Sequence, residues 1–473
     1  MARILPAVLL AAFATPAWAD LTASEAWESF QLSTAAGSSL TWENTRIENG
    51  TLTVEGTVLE SESDEAQAAI SVGTLTFTEG ASGTVALGFP AVMPVRVTFT
   101  DEFGEDVEVT ARIETQRVEA IYSGDSGDIT FDLSLGALQV MLVEVADLPP
   151  EARYEASATA MNLTAQVIST GSGPVSSDFT ASIETVESGI TLEDPVEGLV
   201  AMGYTLNALE TRGQTTRPAR ALTTDALLAG PDFRTDASLE IAGSEMAIEY
   251  DVDEGSGAVD IVTGKSSADV RVDAGRIATQ GNASAIRFTA NSPDLPLPAS
   301  FLIGAVAYEL DQPARPEPEP QPFSFDATLS GITLDDVAWN SLDPSRALPR
   351  EPGNVALNLE GSVGDGLEPF GLRQLTLNGL TADALGAAMS ATGSFTFNAA
   401  NQSPDGALNI RLLGLNTLLE TLFDSGIVNP TQAFGILVGL GSLMQAGAGE
   451  DEMTSQIELG ADGSLTVNGQ RFR

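Results

Sequence analysis

The sequence predicts a mainly β protein: a long antiparallel meander forming a curved or folded-over sheet, with a C-terminal helical hairpin. Three observations carry this. Apolar and polar residues alternate at period two through most of the chain. The segments between those runs are turn-forming, as in "ENGT", "GDSGD", "NGL" and "SPDG". Helical spacing is concentrated in one zone near the C-terminus. Strands joined by turns, with almost no helix between them, favour a meander over an α/β fold.

The first residues, "MARILPAVLLAAFATPAWAD", have the form of a secretory signal. Arg3 supplies the positive start, Ile4 to Phe13 form a short apolar run, and Ala17-Trp18-Ala19 fits the small-x-small cleavage rule. The expectation is a signal peptide over 1–19 and a mature chain from Asp20. The apolar run is far shorter than the ~20 residues a membrane span needs. The chain contains no cysteine, so lipid modification at the new N-terminus is excluded.

An N-terminal antiparallel β region is expected over 20–310. Val95, Val97 and Phe99 face one way, with Arg96 and Thr98 the other. Val107, Val109, Ala111 and Ile113 repeat the pattern, as do Ile129, Phe131, Leu133 and Leu135. Met161 to Val167 and Met246 to Val252 follow it again. A break around "RGQTTRPARALTTDALLAGPDF" has room for a short helix near Leu222 to Leu228. "DQPARPEPEPQPF", over 311–323, is Pro-rich and polar and reads as an extended, semi-rigid linker.

The C-terminal β region is expected over 324–473. Val355, Leu357 and Leu359 alternate, and so do Leu385, Ala387, Met389, Ala391, Phe395 and Phe397. Before them, Trp339 is followed by Asp343-Pro344 and Pro349, an irregular excursion pinned by proline. Trp339 either plugs one end of the sheet or stacks on a ligand. A helical hairpin is expected at about 413–446. Leu415, Leu418, Leu419, Leu422 and Phe423 have helical spacing, and Asn429-Pro430 starts a second arm running from Phe434 to Met444. That arm is apolar almost all round but too short to cross a bilayer. The ending "ELGADGSLTVNGQRFR" carries two hairpin dipeptides, Asp462-Gly463 and Asn468-Gly469. The expected closing hairpin sets its arginines near Glu450, Asp451 and Glu452.

Composition narrows the chemistry. The chain has neither cysteine nor histidine. That removes thiolate nucleophiles, thiolate metal sites, and every Ser-His or Cys-His dyad. The formal net charge is −45, from 66 acidic and 21 basic residues, which opposes nucleic-acid binding. "GDSGD" and "DVDEGSGAVD" are acidic, yet neither completes a calcium loop: the second has Ser256 where the turn glycine belongs and Val262 where the bidentate Glu belongs. Phosphate-cradling loops, zinc signatures and serine-nucleophile elbows are absent from the sequence. No cofactor is implied.

The Trp339…Asp343-Pro344…Pro349…Pro352 stretch resembles an uncharacterised family of exported proteins from Gram-negative bacteria, a domain of unknown function. "LRQLTLNGLTADALGAAMSATGSFTF", the helix pair and the closing "DGSLTVNGQRFR" carry the same likeness, which runs from about Phe323 to Arg473. The family brings no activity and no functional residues. The strand pattern is also similar, more distantly, to AsmA-like envelope proteins. That resemblance implies a long curved sheet whose apolar trough holds lipid acyl chains.

The expected function is therefore that of a non-enzymatic periplasmic or envelope protein, exported through its signal peptide. It binds lipid or another apolar chain on the concave face of a curved sheet. Val95, Val97, Phe99, Phe131, Leu133, Leu357, Leu359, Phe395 and Phe397 would line that face. Its expected partners are lipid or an envelope protein, with membrane association through the helical hairpin. One alternative is an acidic structural or interaction scaffold whose sheets pack on each other. Another is a carbohydrate-acting enzyme using paired carboxylates, which needs two acids at defined separation.

Overall fold

The computed structural model describes residues 21–472, except 34–37, 63–65, 81, 101–105, 126, 147–152, 172–174, 195–197, 219–232, 253–254, 274, 293–298, 316, 366–370, 400, 429–434, 436–437, 440 and 442. The expected signal peptide, the short helix near Leu222 to Leu228 and five residues of the second hairpin arm lie outside the described residues; Gly435, Val438, Gly439, Gly441 and Leu443 of that arm are helical.

The described strands form one antiparallel sheet of 25 strands. Strands β1 (Ser38–Thr41) and β2 (Asn44–Glu48) lie end to end along β3 (Thr51–Glu62), which pairs with β4 (Ala66–Glu79). Next, β5 (Val85–Gly88) and β6 (Val92–Thr100) share one rung between β4 and β7 (Asp106–Asp125). The ribbon continues through β8 (Asp128–Val145), β9 (Arg153–Thr170), β10 (Val175–Asp194), β11 (Gly198–Arg217) and β12 (Arg234–Val252). A second divided rung holds β13 (Gly255–Thr263) and β14 (Ser266–Asp273), both also paired with β15 (Arg276–Asn291). Then come β16 (Ala299–Pro313), β17 (Gln321–Leu334), β18 (Gly353–Gly364), β19 (Gly371–Ala384), β20 (Ala387–Phe397) and β21 (Pro404–Leu413). Last, β23 (Glu452–Leu459) pairs with β21, while β22 (Gln445–Ala446), β24 (Leu465–Val467) and β25 (Gln470–Arg471) finish the edge. Helices α1 (Ala23–Ser33), α2 (Asp336–Leu342) and α3 (Leu415–Asp424) accompany the sheet.

The long strands share an irregularity at mid-length. Arg117 on β7, Asn162 on β9, Ala208 on β11, Ala285 on β15 and Gly331 on β17 have left-handed backbone, with φ of 52°, 49°, 47°, 51° and 70°. The strand registers align them. Asn162 falls opposite Glu184 of β10, which its amide contacts, and Glu184 falls opposite Ala208. Ala285 falls opposite Gly304 of β16, which in turn abuts Gly331. Gly264 and Lys265, between β13 and β14, hydrogen-bond Ser284 on the same line. The result is a crease that crosses the sheet from β7 to β17.

Its physical role is visible along β9. Before the crease Tyr154, Ala156 and Ala158 are half-buried, while Glu155 and Ser157 are exposed. After it, Leu163, Ala165 and Val167 are half-buried, while Thr164 and Gln166 are exposed. The apolar set changes from even to odd numbers. With strict period two that shift would carry it to the opposite face of the sheet; a left-handed residue resets the pleat by one and keeps it on the same face.

The buried core is local. Leu21, Ala26, Trp27, Leu52, Val54, Leu75, Phe77, Val85 and Tyr122 form one cluster where α1 lies on β3, β4, β5 and β7. Ala23, Ala26, Trp27 and Phe30 recur at helical spacing, so α1 presents an apolar stripe to the sheet. Its start is a capping box: the Thr22 hydroxyl accepts from Glu25 N–H at 3.3 Å, and the Glu25 carboxylate accepts from Thr22 N–H at 2.9 Å. Trp27 meets Phe30 at 5.7 Å, Trp42 at 5.2 Å and Phe77 at 5.6 Å between ring centroids.

Several sequence expectations change. The Pro-rich 311–323 segment does not separate two β regions: β16 runs to Pro313, β17 begins at Gln321, and Asp311 pairs with Ser324, so it is a hairpin connection within the sheet. Leu385 is not a strand residue; with φ of 55°, and Gly386 at 80°, it makes the turn before β20. The first arm of the expected helical hairpin is α3. The closing hairpin forms at Asn468-Gly469, with φ of 50° and 79°. Arg471, however, pairs with Asp462 at 3.8 Å rather than with the acids at 450–452. Glu452 is taken by Arg411 at 2.6 Å, and Asp451 accepts from the N–H groups of Asn416 and Thr417 at the start of α3, at 3.0 and 2.9 Å.

The crease makes a direct prediction. A left-handed alanine costs about 1–2 kcal/mol that glycine does not. Ala208→Gly should therefore stabilise the protein by roughly 0.5–1 kcal/mol, after the extra chain entropy of glycine. Ala208→Val should lower the thermal midpoint, because a β-branched residue is an outlier at positive φ. Circular-dichroism melts of the two variants test the pair.

Candidate functional site

Residues directly opposite in antiparallel strands project to the same side of the sheet. Following the registers strand by strand exposes one continuous row. Tyr122 is opposite Phe131, then Val167, Phe179, Gly213, Ala237, Val270 and Thr279. The row goes on through Leu310, Phe325, Leu359, Leu377, Gly393, Leu408, Ile457 and Val467. At the usual strand spacing it runs for about 70 Å. Beside it lies a second row, containing Leu133, Ala165, Leu239, Tyr308, Leu357, Leu380 and Ile410.

The row is buried at its ends and open between them. Tyr122 is 3 % exposed beneath α1 and Val467 is 4 % exposed at the far edge. In the second row Tyr308 is 40 % exposed, and in the first Val270 is 37 % exposed. Most other members are half-buried, which is what neighbours within a single sheet provide. Among the described residues no second layer covers the middle of the row.

Two glycines of this surface lie beneath aromatic rings. A Cβ on Gly213 would meet the Phe179 ring at 2.7 Å, and one on Gly361 would meet the Phe323 ring at 2.7 Å. The ring fills the gap left by each missing side chain. Tyr122 and Phe131 are themselves in contact, with centroids 4.6 Å apart. Burial pushes the Tyr122 hydroxyl well above the ordinary tyrosine range, so it stays protonated.

The structure divides the sequence-predicted lining. Phe131 and Leu359 stand in the first row, Leu133 and Leu357 in the second, and Phe395 in a third with Leu375 and Gly361. Phe397 lies at the end of β20, opposite Pro404. Val95, Val97 and Phe99 lie on β6, beyond the crease, opposite Ala111, Val109 and Val107. Phe99 is 38 % exposed there. Sequence reading missed Phe179, Leu310, Phe325, Leu377, Leu408 and Ile457, and read Val167 as a strand residue without placing it in the lining; together they join these residues into one surface. It also missed α1, although the Thr22…Glu25 box was readable.

Two apolar grooves mark this face. One, of about 250 Å³, lies where the first row emerges from beneath α1 and is lined by Phe30, Leu32, Tyr122, Phe131, Val167 and Val175, with Arg217. The other, of about 280 Å³, is lined by Ile332, Val355, Met389, Leu412 and Leu415 beside α3. The opposite face is polar. A depression of about 510 Å³ there is lined by Glu119, Asp132, Gln166, Arg212 and Glu240 among others.

Trp339 belongs to a plug rather than to these grooves. It is 5 % exposed on α2, its indole N–H donates to the Thr333 hydroxyl at 3.4 Å, and the Arg350 guanidinium sits 5.3 Å above its ring. Asp335 caps α2 by accepting from Ala338 N–H at 2.7 Å. The Pro-pinned loop turns around Asp343, whose carboxylate accepts from Ala347 N–H, Leu348 N–H and the Ser345 hydroxyl, each at 2.9 Å.

Fold and site together define a single-layer antiparallel sheet protein with one extended apolar face. The chain belongs to the family described as "Uncharacterized protein conserved in bacteria (DUF2125)", whose model matches residues 234–470. The match begins at the first residue of β12, well before the Phe323 start that the sequence resemblance gives. It also passes through the Pro-rich turn. No curated protein and no solved structure matches the chain, so the AsmA likeness gains no support.

The loop at Asp343 predicts a pH response. Burial pushes this carboxyl up, but the hydrogen bonds from Leu348, Ala347 and Ser345 and the Arg350 charge more than offset it, holding the group below the ordinary aspartate range. A depressed folded pKa gives stability that is present above the ordinary value near ~4 and is lost as pH falls through the folded value. Asp343→Asn should therefore melt below the native protein at neutral pH. The difference should shrink under acid, as thermal melts at several pH values would record.

Proposed function

We propose that the protein is a non-enzymatic component of the periplasm or cell envelope that holds lipid acyl chains, or ligands of similar apolar character, along this face. The row from Tyr122 to Val467 carries the reading. It is continuous, apolar and only half-buried, and exposed apolar surface beyond a few hundred Å² ordinarily marks a binding site. An acyl chain laid across the strands replaces water along the row and gains about 0.8 kcal/mol per buried methylene. The chain needs no pocket deeper than the curvature of the sheet.

Three carboxylates with displaced titration have structural partners. Glu240 is lowered by its hydrogen bond to Lys265, Asp451 by the N–H groups of α3, and Glu452 by Arg411. These are traits of capping and pairing carboxylates, whereas a glycosidase acid must be held protonated near neutral pH. Among the described residues no helix is long and apolar enough to cross a membrane. In this reading any contact with a membrane is made through α3 and Leu443, supported by Phe423 and Leu443, each 45 % exposed. A scaffold reading is favoured by one feature, the edge strand β2, whose five residues are all exposed, with Ile47 at 62 %. Such an edge accepts a partner strand.

Purification without detergent, followed by native mass spectrometry and organic extraction, tests the proposal. Stoichiometric co-purifying lipid is the expected result. Leu359→Glu, at a half-exposed mid-row position, should lower the bound lipid several-fold while leaving the far-ultraviolet spectrum unchanged. A clean apo mass, unaltered by added phospholipid, would sink the lipid reading and favour the scaffold.

A further inference from the structure

The apolar face has a chemically distinct end. Arg217 is the last residue of β11 and is paired in register with Val175 of β10. Both line the groove that opens beside α1, with Phe30, Phe131 and Val167. In a chain of 66 acids and 21 bases, many of the described cations pair with carboxylates, Arg96, Arg112, Arg234, Lys265, Arg276 and Arg411 within 3.2 Å. Among the described arginines that do not, Arg217 is the one that lines this groove. Arg217 makes no ion pair among the described residues, though it is half-buried and burial disfavours its charge. Glu25, at the same groove, is engaged by the Thr22 N–H and hydroxyl at 2.9 and 2.8 Å. Glu28 on the next turn of α1 is exposed.

We infer that this groove takes an amphiphile whose single anionic group, carboxylate or phosphate, sits on Arg217 at its β11 end and whose chain runs from there toward α1 past Val175, Val167 and Phe131. This rests on the lipid reading and adds an anionic head-group class and a direction. The chemistry favours it on two counts. A guanidinium presents a fork of N–H donors that matches both carboxylate and phosphate oxygens, and a partly desolvated one gains more from such a partner than an exposed one. The neighbouring rings and aliphatic side chains accept the methylenes, and Val167, Phe131 and Tyr122 follow one another across the strands without a polar break. Buried at 3 % under α1, Tyr122 closes the far end of the groove and sets where the chain stops.

Trp27 supplies the readout, because it stacks on Phe30, which lines the groove. Purified protein is titrated with brominated palmitic acid and with its alcohol, and tryptophan quenching is followed. A parallel native-mass titration uses phosphatidylethanolamine and phosphatidylglycerol of the same chain length. The acid should bind the native protein about tenfold to a hundredfold more tightly than the alcohol, the range of a charge-assisted hydrogen bond. Arg217→Gln should abolish that preference by bringing acid binding down toward that of the alcohol, and Arg217→Lys should restore part of it. Preference for the acid over both phospholipids assigns a carboxylate ligand, and the reverse a phosphate. If acid and alcohol bind the native protein equally, the Arg217 assignment is overturned and the apolar trough stands. If neither the acid, the alcohol nor the phospholipids bind, the lipid reading itself falls. Unchanged melts of both variants establish that they fold.

Discussion

A sheet with no second layer over most of its length must keep all its apolar side chains on one side, and the rest of this structure follows from that demand. Strands such as β7, β10 and β11 are 20 residues long. Accumulated right-handed twist over that distance would turn the two ends of a strand to face different directions. The crease interrupts each strand near its middle and resets the pleat. Because the left-handed residues on β7, β9, β11, β15 and β17 line up, the interruption acts on the whole sheet at once. A single misplaced kink would put one strand out of phase with its neighbours and send half of its apolar residues to the polar face.

The same demand explains the ends. An open sheet has two edges that offer unpaired N–H and C=O groups to other chains. At the C-terminal edge, β22 covers Met453 and Thr454 of β23 while β24 covers Ile457 to Leu459, and the β24–β25 turn folds back on itself. At the N-terminal end two short strands take the edge, and α1 buries the only extensive core among the described residues. That core anchors one end, so the sheet is a ribbon hung from a small packed domain. The β3–β7 region supplies conventional stability; the remainder relies on hydrogen-bond ladders and on row contacts between adjacent strands.

On β7, β8, β9 and β12 about half of the strand was legible in the sequence, and the reason is the crease; β10 and β11 were not read as strands. Period-two reading finds Met246 to Val252 on β12 but not Ala237, Leu239 and Ile241 on the same strand, because the apolar residues there carry odd numbers. Likewise it finds Met161 to Val167 and loses Tyr154 to Ala158. Arg117, Ala208 and Ala285 carry no local signal for a left-handed conformation; of the crease residues only Asn162 and Gly331 are of types that favour it. The turn dipeptides, by contrast, were read correctly at Asn468-Gly469, since positive φ there is written in the residue types. The Pro-rich 311–323 segment misled because its composition is that of a linker, and whether its flanking strands pair is a matter of long-range register. The apolar lining was legible as scattered residues; its continuity depends on cross-strand alignment, which no single stretch of sequence displays.

The charge of the chain bears on how such a surface coexists with an open apolar face. A net −45 spread over the polar face, at Glu119, Asp132, Glu184, Glu210 and Glu249 among others, makes two copies repel before their apolar faces can meet. The same field opposes an approaching anionic amphiphile. The two effects differ in range, however. At physiological ionic strength the repulsion decays over about 8 Å, whereas a guanidinium in contact with a carboxylate or phosphate acts at hydrogen-bond distance. A field that keeps whole proteins apart is thus compatible with a local cation that holds one head group. Placing that cation at the mouth of the groove, on the last residue of β11, leaves the length of the trough free of charge for the chain.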